Sequence, residues 1–486
     1  MAKQVVDYHL YRWRYGLGYG FVVVAIIAAV VLAGLFIPGE LRQGELDSAL
    51  QSSQLSFQNL TPAMVINAPY HGLQKLSFAV LGVTPLSIKL PSMAIALMTA
   101  LGLLLLFRSW FSRNIALITT ILVTMTAQFL FLAQDGTPAI LFSCLTVWLL
   151  YAATRAIRTK KFLSTLWKVT ACVLAALLLY APLGIYVIIA LGILGVSHPH
   201  ARYTILRVQR SRLALAAVVG LVAMLPLIYA SITNHDVLKQ LFGLPLESIN
   251  VGANLRHLGT TLFGLFASNK SYLVQPLYSV GMILIMLIGL ASLLSHYYTA
   301  RSYAALLVGL PLLGVVISNP QLVTSLFPVV AIIIAFGVAW LINHWYKMFP
   351  RNPYARVAGL LPMTLLIGGL TLTGIGRYAE TYRYNPDVLA HYSSDVKLLN
   401  DQLQGDNVRV DRPMTLAVTE TERPMYEMIA RYNDRLRVVT TVPEQQTVFT
   451  ATRAYRQQHR DLTRPAHIIT NARAHDSNRF YQYEPL

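Results

Sequence analysis

The carboxylates Glu40, Glu45, Asp47 and Asp135 and the basic side chains Arg42, His71, Lys75, Arg256, His257 and Lys270 have types and positions that suit chemistry at the edge of an apolar bundle. Ionisable groups beside hydrocarbon are expensive, so acids gathered where an apolar run ends are candidates for function. Glu40, Glu45 and Asp47 follow the first such run directly. If that loop winds into a helix, Glu40 and Asp47 share a face about two turns apart, roughly 10 Å along the axis. Glu45 falls off that face and pairs with Arg42 in i, i+3 fashion. A solvated acidic loop is the plainer reading. Asp135 lies in Gln134-Asp135-Gly136-Thr137-Pro138, where Asp-Gly is good turn chemistry in its own right, so a turn role and a catalytic one both stay open. The basic groups can meet a phosphate, Arg as a fork and Lys as a point charge. Arg256-His257 is the more specific pair, with a headgroup-facing cation as its alternative.

The elements that position these residues are apolar. Of 486 residues, 55% are hydrophobic and only 12% charged, too few to coat a soluble globule. Runs long enough to cross roughly 30 Å of hydrocarbon predict about eleven spans, at 17–37, 85–107, 114–132, 138–154, 169–181, 183–197, 213–232, 276–295, 302–318, 321–342 and 357–375. With the N-terminus and every second connection cytoplasmic, that side collects basic residues such as Arg108, Arg113, Arg158, Arg210, Arg301 and Lys347 against a single acid, Asp7. The opposite connections balance to zero. The net charge of +18 is thus positive-inside topology in an integral plasma-membrane protein, and implies no nucleic-acid partner. Cys144 and Cys172 sit inside apolar runs and read as small buried hydrophobes. The 28 residues from Lys168 to Ser197 are short for two crossings, which predicts a re-entrant hairpin broken at Tyr180-Ala181-Pro182-Leu183-Gly184.

The chain divides into a cytoplasmic segment 1–16, a transmembrane domain 17–375 with outer loops 38–84 and 233–275, and an extracytoplasmic domain 376–486. Tyr70 to Leu81 reads as an interfacial helix with apolar Leu73, Leu76, Phe78 and Leu81 and a polar Gln74-Lys75 edge. In 376–486, strand-like runs at 414–418, 435–441, 467–470 and 480–483 alternate with helical patterns at 386–403 and 421–432, which predicts a small α/β domain.

Residues 10 to 160 resemble the polyprenyl-phosphate-sugar-dependent glycosyltransferases of the GT-C superfamily, the protein mannosyltransferase and aminoarabinose transferase type. The resemblance rests on Pro38-Gly39-Glu40-Leu41-Arg42, Asn67-Ala68-Pro69-Tyr70-His71-Gly72-Leu73, Ser87-Ile88-Lys89-Leu90-Pro91-Ser92 and the Gly136-Thr137-Pro138 turn. The usual Asp-Glu of the first loop is Gly39-Glu40 here, the acid usual after Thr-Pro is Ala139, and the basic residue usual before the interfacial helix is Ala68. The resemblance implies a GT-C-like bundle that moves one sugar, with inversion, from a polyprenyl-phosphate donor to an extracytoplasmic glycan, lipid or protein. Glu40, assisted by Asp135 or Asp47, would deprotonate the acceptor, and Arg42, Arg256 or His257 would hold the leaving phosphate. No cofactor is certain; a divalent metal is possible. A catalytically inactive scaffold that presents 376–486 to a partner is the competing reading. A transporter fits less well, because the spans carry hardly any charge and show no repeat.

Overall fold

The computed structural model describes residues 9–37, 40–56, 62–159, 161–199, 202–203, 210–245, 249–266, 271–348, 353–405, 413–442, 448–462, 464–470 and 480–483. Among these, six helices are long and apolar enough to cross a membrane: Gly16–Phe36, Pro85–Trp110, Ala139–Arg158, Ala216–Thr233, Ala300–Ser318 and Pro320–Met348. Arg113–Thr124 and Ala127–Gln134 form a seventh if a pair bent by 65° counts as one span. Sequence periodicity suggests an unbroken run over 114–132, and the break has a local cause. Thr126 accepts a hydrogen bond from the Phe129 N–H, which starts a new helix inside the apolar stretch. Phe162–Leu178, Gly184–Ser197 and Val280–Ser295 are apolar but shorter. The last long helix, Pro353–Tyr384, runs past the expected boundary at 375.

The expected hairpin break falls between Leu178 and Gly184. Leu183 takes a left-handed φ of 68°, and a Cβ on Gly184 would stand 1.9 Å from the Leu178 carbonyl oxygen. Protein groups take up the backbone freed there. Asn67 N–H donates to the Tyr180 carbonyl and Leu183 N–H to the Leu241 carbonyl, each at 2.8 Å. This satisfies the condition for irregular backbone at membrane depth.

At the end of the bundle that carries Thr84, two short helices form a roof. Gln43–Gln54 follows a two-residue strand, Leu41–Arg42, which pairs antiparallel with Tyr392–Ser393. Ala68–Leu81 exposes Leu73, Leu76, Val80 and Leu81 and buries Tyr70, His71, Gln74, Ser77 and Phe78. The outward apolar stripe is as predicted, except that Phe78 turns into the core and the supposedly polar edge residue Gln74 is fully buried. Pro91 explains part of this contact. It has no N–H to give the Ser87 carbonyl, and Ser77 Oγ donates to that oxygen at 2.8 Å instead.

Beyond the bundle lies a mixed five-stranded sheet in the order Leu436–Val439, Met414–Ala417, Phe449–Thr452, Phe480–Tyr483, His467–Ile469. The first three strands are parallel, with Leu416 opposite Val438 and Thr450; the last two join antiparallel, with Thr450 opposite Gln482 and Ile468 opposite Tyr481. Leu416 and Phe480 of the sheet, with Tyr426 and Ile429 of the helix Arg423–Arg431, share one core with Leu41, Leu46, Phe78 and Ile88 of the roof and bundle. The sheet is therefore packed onto the loop that carries the candidate acids.

Candidate functional site

The N-terminal half of helix Pro85–Trp110 and the Asp135-Gly136 turn meet the start of helix Gln43–Gln54 in a buried polar cluster. Because Leu41–Arg42 is held extended by its strand pairing, the helix begins only at Gln43. Glu40 and Asp47 therefore do not share a helical face, contrary to the geometry suggested by their spacing. Glu45, in the first turn, reaches back and accepts from the Arg42 N–H at 2.7 Å, as a capping-box residue does. Its other oxygen accepts from the Gly136 N–H at 2.6 Å and lies 3.9 Å from Lys89 Nζ. Glu45 and Lys89 are both buried. Lys89 also donates to the Glu40 carbonyl at 2.8 Å and to Gln134 Oε1 at 2.9 Å. Gly136 is required here, since a Cβ would come within 2.7 Å of the Ile88 side chain and 3.2 Å of Glu45.

The expected Arg42–Glu45 side-chain pair does not form. Arg42 instead donates Nη2 to Asp135 Oδ1 at 2.9 Å, and its guanidinium lies 4.1 Å from the centre of the Tyr272 ring. Asp135 Oδ2 accepts from the Thr137 hydroxyl at 2.5 Å, and its carbonyl accepts from Ser92 Oγ at 2.5 Å. Burial works against the charge on Arg42, but Asp135 and Tyr272 more than offset it, so its pKa stands above the ordinary value. Burial pushes the Glu45 carboxyl up, with Lys89 opposing. Arg42 Nε is buried and has no acceptor.

Arg42 and Asp135 line a cavity of about 250 Å³, together with Asn67, Thr137, Tyr272 and Gln321. Ala181 also lines a second, almost wholly apolar groove of about 340 Å³, walled by Leu179, Ile185, Met224, Leu227 and Phe242. The hairpin break thus sits between a chamber of mixed lining that holds the Arg42–Asp135 pair and an oily groove.

The other sequence candidates lie elsewhere. Glu40 is half-buried beside Lys89 and does not line the cavity. Asp47 is exposed and accepts from Gln43 on its own helix. His71 is buried against Ser52 Oγ at 2.7 Å, and burial lowers its pKa to about 4, so it is neutral and poorly suited to an anion. Lys75 donates to the Leu55 carbonyl. Arg256 is exposed over the Phe266 ring, and His257 follows it on helix Val251–Phe263, outside the cavity. Lys270 falls outside the described residues. Sequence reasoning passed over Lys89, Gln134, Ser92 and Tyr272 as site residues. A lysine one turn inside an apolar run was the available signal.

A divalent metal does not fit this cluster. The oxygens of Glu45 and Asp135 are spent on N–H and O–H donors, and both carboxylates already face cations. Among the described residues no group of three or more His, Cys, Asp or Glu gathers elsewhere.

A bent-helix bundle roofed at one end by amphipathic helices and a packed α/β unit is the GT-C architecture, and the chain is a polytopic membrane protein of that fold. The family described as dolichyl-phosphate-mannose-protein mannosyltransferase matches residues 69–229. The chain is similar to apo ArnT from Cupriavidus metallidurans, with a TM-score of 0.57 at 13% identity over 96% of this chain and 98% of that one. The same transferase bound to undecaprenyl phosphate gives 0.52 at 12% identity, over 95% and 98%. The Archaeoglobus fulgidus oligosaccharyltransferase AglB, in complex with an inhibitory peptide and a dolichol-phosphate, gives 0.51 at 13% identity over 88% of this chain and 64% of its own. No curated protein sequence matches.

Proposed function

We propose that the protein is a membrane glycosyltransferase that moves a sugar from a polyprenyl-phosphate donor to an acceptor outside the membrane. One observation carries this reading: Arg42, the only cation among the described residues that line the chamber, is held there beside Asp135 and next to an apolar groove. A lipid phosphate would meet the Arg42 guanidinium in the chamber while its isoprenoid lies in the groove. The fold shared with structures that hold undecaprenyl phosphate and dolichol-phosphate supports the same donor class.

In this reading the donor phosphate competes for Arg42 and frees Oδ1 of Asp135. Asp135 takes the proton of the acceptor hydroxyl or amine as that group attacks the anomeric carbon. The carbon–oxygen bond to phosphate breaks, and the electron pair leaves on the polyprenyl phosphate, whose charge Arg42 meets. Tyr272 and Thr137 hold the two partners in place. Glu45 and Lys89 act from behind, fixing the Arg42 backbone and the Gly136 turn. The reading includes eleven spans, a cytoplasmic N-terminus and residues 376–486 outside.

A second reading, the inactive scaffold, is favoured by the internal saturation of both buried carboxylates. Transfer assayed with short-chain polyprenyl-phosphate sugars in vesicles separates them. Asp135→Ala should lower transfer roughly 10²- to 10⁴-fold in protein that still elutes as a single species, and Glu40→Ala should lower it less. Full activity in Asp135→Ala would end the assignment of the base. A phenotype that survives both substitutions and disappears on deletion of 376–486 would establish the scaffold.

A further inference from the structure

Helix Pro85–Trp110 carries Lys89 near one end and Trp110 at the other, so at about 1.5 Å per residue the two ends stand roughly 30 Å apart, one hydrocarbon thickness. A cavity of about 460 Å³ opens at the Trp110 end. Arg301, Lys347, His296, His344 and Asn343 line it between the aromatic walls Trp110 and Trp340, with no carboxylate among the described lining residues.

The cationic wall is held in place. Arg301 is half-buried, lies 5.0 Å from the Phe111 ring centre and 5.5 Å from that of Phe336, and donates Nη1 to the Trp110 carbonyl at 2.5 Å. That bond uses one of the five guanidinium N–H donors. Arg158 lies within electrostatic reach of it, with the same sign. His344 stacks on Trp340 with ring centres 4.5 Å apart. Ser112, also in the lining, begins the helix Arg113–Thr124 without a side-chain cap, so first-turn N–H groups add positive potential there. On this side of the bundle the sequence places 18 of its 39 basic residues against Asp7 alone. Like charges packed together without a protein counter-charge favour a bound anion.

We infer that this cavity binds the phosphate headgroup of an anionic phospholipid from the leaflet opposite the candidate site. Interfacial tryptophans and a basic pocket between helix ends suit a headgroup whose acyl chains stay in the bilayer. The inference stands whether or not the protein transfers sugar.

The test is quantitative lipid retention by the full chain, purified from micelles doped equally with phosphatidylglycerol and phosphatidylcholine. Wild type should retain phosphatidylglycerol in roughly fivefold excess or more. His344→Ala/Lys347→Ala should bring the ratio close to one while leaving the Arg301–Trp110 bond in place. Asn343→Asp sets a negative charge in the lining with almost no change of shape, and should lower the ratio even if the double variant does not fold. Millimolar inorganic phosphate should leave retention unchanged. An equal ratio in wild type, an unchanged ratio in Asn343→Asp, or displacement of the lipid by inorganic phosphate would overturn the inference.

Discussion

Replacing Lys89 by Met keeps the length of the side chain and removes its charge. The ammonium donates to the Glu40 carbonyl and to Gln134 Oε1, and it is the cation facing buried Glu45. Without it Glu45 retains two backbone N–H donors and no counter-ion, so it takes up a proton. Doing so at pH 7 with an ordinary carboxyl value of 4.5 costs roughly 3 kcal/mol. The two lost hydrogen bonds add about 1 to 2 kcal/mol, which agrees with the range for a broken buried pair. The pH dependence identifies the cause. Folded variant then binds one more proton than unfolded, so its deficit against wild type shrinks by about 1.4 kcal/mol per pH unit as pH falls, some 3 kcal/mol between pH 7 and pH 5. Unfolding of both proteins in mixed micelles, followed by tryptophan fluorescence at each pH, measures the difference, in which other titrating groups cancel. A deficit that stays constant across this range would refute the buried-charge argument and leave only lost packing.

His71 acts in the opposite direction in wild type. Its folded pKa is lowered to about 4 by burial, so the stability it contributes is present above the unfolded value of about 6.5 and is lost as pH falls through 4. The total is roughly 3 kcal/mol; His71→Gln should flatten that part of the pH–stability curve, and an unchanged curve would show that the ring is already protonated or exposed. Gly184→Ala drives a Cβ to 1.9 Å from the Leu178 carbonyl and should cost about 3 kcal/mol or more, seen as loss of monodisperse protein in size-exclusion chromatography. Wild-type yield and stability would show that the hairpin turn adapts.

The parts of this molecule that were legible in its sequence are those governed by local physics. Runs of Leu, Ile and Val mark where helices lie, the Pro182 and Gly184 pair marks the hairpin break, and Asp135-Gly136 marks a turn. Pairing across the fold was not legible. Arg42 has Glu45 three residues away, yet bonds Asp135 because a two-residue strand against Tyr392–Ser393 holds it extended. So short a bridge leaves no alternation to read. The depth of Lys89, near the end of its apolar run, cannot be read from charge counting, and only the packed roof shows that it is buried. The strand Phe449–Thr452 was illegible for a related reason: Phe-Thr-Ala-Thr alternates, but over only four residues, too few to stand out from chance.

The two buried ion pairs also bear on the choice between enzyme and scaffold. A buried pair rarely stabilises more than the apolar residues that could replace it, and this chain fills its other interior positions mostly with apolar residues and with uncharged Ser, Thr and Gln. Stability alone therefore does not account for charges at Glu45 and Lys89. What they do is fix the backbone of Arg42 and the Gly136 turn, which aims the Arg42–Asp135 pair at the cavity. A scaffold needs no such aim. A site for an anionic ligand does need it, because the guanidinium has to meet the ligand's oxygens in a fixed orientation.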